Sequence, residues 1–397
     1  MKNKLYLLCS GLVLVIIILL IGNLLLPSRP LSPNDSLVRW LVAPGRFFIS
    51  EQGSESPKLC TNPQLARRGN KSRCFSLRKK NQRDFRIFCL GGSTTEGWPF
   101  QHVLSYPDFL NLELKDVLPS RHVEVINAGF SGLDSTSDVA LVKELLRYEP
   151  NLLLIYEGRN EPWTMPLYSG WRAKLLIPHL WLLYHLSLYR YLRYLIDPNA
   201  SFSAAAGVRG WASQRGLDYT GIAKRHMLKN LMRMIAMARQ DHCRVMLVTQ
   251  VTDSHDPNDS PWLKNFNDSI KRLAAAQGVP VIDAAGAFDS YRGGLGPIFL
   301  RSLWHPDVGG YFLMAKTAAR ALARSGLVAP AKDWRWNRGE SELDYLRKLS
   351  VTPRSLAAAY IFLAESCIQP LNHRALAKKY ITRAHALDHE GWPALFQ

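Results

Sequence analysis

The chain has 397 residues, 47% of them hydrophobic, and its 50 Lys and Arg against 32 Asp and Glu give a formal charge of +18. The hydrophobic share indicates an ordered core, and the length suits one large domain with appendages or two modest ones. The positive charge favours anionic surfaces, but no zinc-finger spacing or aromatic RNA-binding signature accompanies it, so nucleic acid is set aside in favour of a membrane and envelope setting.

Met1-Lys2-Asn3-Lys4 precedes a charge-free, mostly apolar stretch from Leu5 to Leu26, close to the roughly twenty residues that cross a bilayer as a helix. It reads as a retained anchor over 1–27, because it is longer than a signal-peptide core and no small-x-small cleavage site precedes Pro27-Ser28-Arg29-Pro30. Cys9 lacks the small residues expected before a lipidated cysteine. Lys2 and Lys4 favour a cytoplasmic N-terminus against Arg29 and Arg39 beyond the span, which puts the remainder on the periplasmic side of a cell membrane. Residues 28–84 are rich in Pro, Ser and basic side chains and read as a stalk or N-terminal extension. Within it Cys60 and Cys74 bracket a polar loop and are expected to form one disulfide. No Cys or His cluster has metal-ligand spacing, and no metal or cofactor is proposed.

From Arg86 the pattern changes. Short apolar runs are predicted as strands near 86–90, 123–127, 152–156, 244–249 and 279–283. Helical patterns alternate with them near 107–117, 138–148, 223–239, 262–276 and 309–325. This alternation predicts an α/β fold with a parallel sheet covered on both faces, over a domain of about 85–330. An insertion at 162–222 interrupts it. Its centre, from Leu175 to Leu195, is apolar and aromatic with embedded arginines, and Pro178 and those charges argue against a second span. A packed helix, a membrane-surface helix and a hydrophobic lid are all compatible with that composition. Residues 331–397 form a separate helical segment in which Leu363, Ala364, Ala377, Ile381 and Ala384 approximate one degenerate tetratricopeptide unit. A lone repeat is not stable by itself and is expected to dock on the main domain.

Four turns carry chemistry. Arg86-Ile87-Phe88-Cys89-Leu90 runs into Gly91-Gly92-Ser93-Thr94-Thr95, which holds a serine hydroxyl at a helix start. Asn127-Ala128-Gly129-Phe130-Ser131-Gly132 follows the second strand and offers a free backbone N–H. Tyr156-Glu157-Gly158-Arg159-Asn160-Glu161 follows the third and presents an amide side chain, and Trp304-His305-Pro306-Asp307 places an imidazole before a helix. Acyl transfer needs these types together: a serine, a nearby histidine to take its proton, and donors aimed at the developing oxyanion. All four fall where an open α/β sheet keeps its ligand crevice.

In this order the four blocks resemble those of the SGNH (GDSL-like) hydrolases, and more narrowly a membrane-anchored bacterial branch reading Gly-Gly-Ser-Thr-Thr and Tyr-x-Gly-x-Asn-Glu. The resemblance covers about residues 85–325. It implies a three-layer, flavodoxin-like fold, Ser93 as nucleophile, His305 as general base, and an oxyanion hole made by the N–H groups of Ser93 and Gly132 with the Asn160 side chain. One departure stands out. The family carries an Asp three residues before the histidine, where this chain has Ser302. Asp283 and Asp289 are weighed as substitutes to orient the imidazole, and Asp307 follows His305 too closely to favour. The function so implied is a membrane-tethered serine esterase or deacylase, hydrolysing or transferring an O-acyl group on an envelope glycan or lipid. The alternative is a catalytically silent glycan-binding or assembly protein.

Overall fold

The computed structural model describes residues 46–51, 58–63, 72–76, 84–164, 219–252, 261–293, 299–300, 305–368 and 374–395, with isolated positions between 11 and 25 and at 186 and 188. Residues 46–162 and 220–397 form one unit, and 1–45 with 163–219 form a second. The elements below lie in the former, but for ends at 163–164 and 219. The apolar N-terminal stretch as a span, and the insertion at 162–222 but for its two ends and residues 186 and 188, lie outside the described residues. At seven scattered positions between 11 and 25 the chain is helical, and no described helix is long and apolar enough to cross a membrane.

Strands β1 (Phe48–Ser50), β2 (Lys58–Thr61) and β3 (Cys74–Ser76) make a small antiparallel sheet, in which Cys60 opposes Cys74 and the two are joined by a disulfide. The larger sheet begins with β4 (Asp84–Gly91), buried along nearly its whole length. A continuous Phe-Arg-Ile-Phe-Cys-Leu run suits a strand with both faces covered, and its two faces have different covers. Ile87 and Cys89 join the core shared with the helices. Phe88 meets Phe75 and Phe48 of the small sheet, at ring separations of 5.2 and 6.4 Å. Arg86 is buried in that strand because every branch is paired: to Glu124, to the Tyr148 carbonyl and to the Ser76 carbonyl, each at 2.8 Å.

After β4 come α1 (Ser93–Glu96), α2 (Tyr106–Val117), β5 (His122–Gly129), α3 (Ser135–Leu145), β6 (Leu152–Tyr156) and α4 (Glu161–Thr164). The second half adds α5 (Tyr219–Gln240), β7 (Arg244–Val248), α6 (Pro261–Gln277), β8 (Val281–Ile282) and α7 (Ala284–Asp289). The five strands pair in parallel in the order β5-β4-β6-β7-β8. All five predicted strands are present, and the last is shorter than expected for a local reason. Val279 N–H completes the end of α6 by donating to Ala274 O, after Gly278 at φ +58°, and Pro280 has no N–H to give.

Chain reversal through β9 (Phe299–Leu300) and β10 (His305–Pro306), an antiparallel pair, leads into α8 (Val308–Ser325). Capping sets the helix starts: Ser105 accepts from Asp108 N at α2, Asp134 from Ser137 N at α3 and Asp307 from Val308 N at α8. Phe109 of α2 packs edge-on against Phe312 of α8 at 5.6 Å. The C-terminal segment forms α9 (Glu342–Lys348), α10 (Pro353–Ile368) and α11 (Arg374–Glu390). Leu363, Ala364, Ala377 and Ala384 are buried there, whereas Ile381 is 50% exposed. Tyr360 of α10 contacts Phe100 at 5.5 Å and donates its hydroxyl to Asp307 Oδ1 at 2.5 Å, so α10 holds the cap of α8. Tyr360→Phe leaves the buried Asp307 carboxyl one donor short, and urea unfolding is expected to show a loss of about 1–3 kcal/mol.

Candidate active site

The turn bearing Ser93 is shaped by what glycine permits. Gly91, at φ +148°, lies so close to the Tyr156 carbonyl and to Thr95 that a Cβ would collide with both. At Gly129 a Cβ would stand 2.5 Å from Glu96 N, so the single turn of α1 rests on the end of β5. That turn is then locked by buried polar groups. Asn127 Nδ2 donates to Thr95 O at 2.8 Å and to Ser105 Oγ at 2.9 Å. Glu96 accepts from Ser131 N at 2.8 Å and from the Ser131 hydroxyl. Arg73 donates to Asn127 Oδ1 at 2.9 Å and to Gly129 O at 2.5 Å, and lies 3.8 Å from Glu96 Oε1. Burial pushes the Arg73 guanidinium below its ordinary pKa, with Glu96 opposing that shift.

Ser93 Oγ lies 2.7 Å from His305 Nε2, although 212 residues separate them. That is the reach proton transfer requires. With Nε2 accepting from the hydroxyl, the proton of the neutral imidazole sits on Nδ1. Pairing of His305 with Leu300 holds the backbone, and the Trp98 indole packs on the imidazole at 4.5 Å with a 51° tilt.

Ser302 lies outside the described residues. Asp283 caps α7 through Gly286 N, accepts from Thr249 Oγ1 at 3.0 Å and pairs with Lys271 at 2.7 Å. Those contacts hold its carboxyl below the usual range, against the opposing effect of burial. Asp289 ends α7, and no contact between either carboxylate and His305 is found among the described residues. Asp307 is taken up by the α8 cap and Tyr360.

Asn160 reaches the same turn from β6. Its Nδ2 donates to Leu133 O at 2.5 Å and lies where a Cβ on Gly92 would be, so the second glycine of the pair is what admits the amide. Gly132, at φ +83°, occupies the turn between Ser131 and Leu133. A cavity of only about 10 Å³ opens beside Ser93, lined in part by Gly92, Glu157, Asn160 and Gln250.

Behind Asn160 are four buried acids that the sequence patterns did not single out: Asp134, Asp138, Glu157 and Glu161. Glu161 accepts from Ser135 N at 2.7 Å, bracing the Asn160 turn against α3. Desolvation raises both Asp138, to about 7, and Glu157, further, and each carboxyl also acts on the other. If both were ionised, neither Asp138 oxygen nor Glu157 Oε1 would have a donor. A proton held between them satisfies the pair. Among the described residues only Glu51, Cys60 and Cys74 cluster like metal ligands, and the two sulfurs are already joined to each other.

The profile of the GDSL-like Lipase/Acylhydrolase family matches residues 89–312, more than half of the chain. The chain belongs to that family. The match runs from the strand before Ser93 to the helix after His305, so the family region contains all four turns. Among solved structures, the chain is similar to an acetylxylan esterase from Geobacillus stearothermophilus, at 15% identity and a TM-score of 0.38, covering 60% of this chain and 94% of that one. It is also similar to an alpha/beta hydrolase enzyme from the metagenome of Lake Arreo, Spain, at 17% identity and a TM-score of 0.40, covering 62% and 97%. No individually curated protein matches.

Arg73, Glu96 and Trp98 were also missed by the sequence reading. Glu96 and Trp98 stand just after Ser93 and had a local signal, namely a charged and an aromatic residue directly behind a Gly-Gly-Ser turn. Arg73 had none. The raised acids have a measurable consequence. Folded Asp138 keeps a proton that the unfolded chain releases above its ordinary value of 3.8, so this group's stabilising contribution falls as pH rises toward about 7 and is flat above. Asp138→Asn is expected to close its gap with wild type, or overtake it, across that window, read as the difference in Tm at successive pH values.

Proposed function

We propose that the protein is a serine esterase or deacylase that removes or transfers an O-acyl group, with Ser93 as nucleophile and His305 as general base. The observation that carries this reading is the 2.7 Å approach of Ser93 Oγ to His305 Nε2 beside Asn160. Ser93 Oγ attacks the ester carbonyl carbon while its proton passes to Nε2. The oxyanion is met by the N–H groups of Ser93 and Gly132 and by Asn160 Nδ2. When the tetrahedral intermediate collapses, the C–O bond to the leaving alcohol breaks and His305 returns the proton to it. Water, or an acceptor hydroxyl in the transferase variant, then repeats the sequence on the acyl-serine. Trp98 packs on the imidazole and takes part of the orienting work.

An O-acetylated envelope glycan and a lipid ester both offer the carbonyl that this chemistry requires. Tethering to a cell membrane, with the site on the periplasmic side, draws support from the apolar N-terminal stretch. There Leu24 and Leu25 are helical and 84% and 78% exposed, as suits side chains whose solvent is lipid.

Full-length wild-type protein is expected to be labelled by a fluorophosphonate probe, and Ser93→Ala to lose that labelling entirely. His305→Ala should slow labelling by about a thousandfold or more. A folded wild-type protein that takes no label would favour the silent, glycan-binding alternative.

A further inference from the structure

Away from the catalytic turns, α8 carries Lys316, Arg320 and Arg324. At i, i+4 and i+8 they form a row on one face with a rise of about 6 Å per step. This row forms one wall of a groove of about 690 Å³, and Trp334 and Trp336 from the following loop form another. Neither Ser93 nor His305 lines it. It extends to Arg324, about 24 Å along the helix from Val308.

The two indoles stack at 5.2 Å with 14° between their planes. Trp334 is buried and donates Nε1–H to Ala329 O at 3.3 Å, whereas Trp336 is 44% exposed. The outer indole is therefore a flat apolar platform held rigid from behind. Lys316 is already neutralised by Glu113 at 2.7 Å. Arg320 and Arg324 are exposed, and among the described residues no carboxylate pairs with either.

We propose that this groove binds an acidic oligosaccharide, one sugar ring lying on Trp336 and the carboxylates of the chain meeting Arg320 and Arg324. A guanidinium takes a carboxylate through two parallel N–H bonds, and two of them about one monosaccharide apart match a polyuronate rather than a single small anion. A rigid aromatic face costs little entropy to engage. One exposed platform is poor for single-stranded nucleic acid, which stacks successive bases on successive aromatics. The face of α8 opposite the cations is buried in the core, so the helix has no apolar face to lay into lipid. Binding at this groove does not depend on the chemistry proposed at Ser93.

The test is titration of full-length protein with tetragalacturonate, followed by calorimetry and by Trp fluorescence, with neutral xylotetraose, oligothymidylate and phosphatidylglycerol vesicles as comparisons. Tetragalacturonate is expected to bind saturably and at least about tenfold more tightly than xylotetraose, and to weaken as salt is added. Trp336→Ala and the double variant Arg320→Gln/Arg324→Gln should each weaken it by about tenfold or more, while fluorophosphonate labelling of Ser93 stays at the wild-type level and shows that the variants are folded. Absence of binding, equal affinity for the two oligosaccharides, binding that survives both variants, or a preference for oligothymidylate or vesicles would each overturn the proposal.

Discussion

The close approach of two backbones at the carboxyl edge of the sheet is the constraint from which the site follows. The first turn of α1 lies against the end of β5 and beside the end of β6, and only the absence of side chains at Gly91 and Gly129 allows it. A backbone held that tightly has few conformations left, so the Ser93 hydroxyl is aimed by its neighbours. Gly92 completes the arrangement by admitting the Asn160 amide. Three glycines thus bring the ends of three parallel strands into one site, where an α/β sheet exposes its loops.

Close packing of backbones also buries polar groups, and the structure satisfies them in two ways. Around α1 the charges are opposite: Glu96 takes two donors from Ser131, and Arg73 divides its donors between Asn127 and Gly129. Around the Asn160 turn they are alike, and protonation replaces counter-charge at Asp138 and Glu157. The first arrangement depends on the small N-terminal sheet, since Arg73 immediately precedes Cys74 of β3. The second makes the corner beside Asn160 sensitive to pH.

His305 is held by different elements. Its strand partner Leu300, the Trp98 ring and the Asp307 cap of α8 surround it, and the cap is in turn bound by Tyr360 from the C-terminal helices. A segment that looked separable in composition therefore supports the helix that begins beside the imidazole. Membership of the GDSL-like lipase/acylhydrolase family accounts for the region from 89 to 312. The small sheet and helices α9 to α11 lie outside that region and still supply Arg73 and Tyr360 to its interior.

The five strands of the main sheet, the long helices between them and the four turns were legible in the sequence, because each depends on local periodicity and on glycine at strand ends. The Cys60–Cys74 pairing was legible for a similar reason, being one short loop with two candidates. Contacts between distant residues were not. The sequence places a serine at 93 and an imidazole at 305, but it does not state that they lie 2.7 Å apart. Nor does it state that Asp283 is claimed by Lys271 and its own helix cap, that Arg73 reaches β5, or that four acids meet behind Asn160. Local pattern determines which element each residue joins, since propensity and period act over a few residues. Which side chains meet is decided only when the sheet assembles, because desolvation and pairing depend on neighbours that the chain brings from far away.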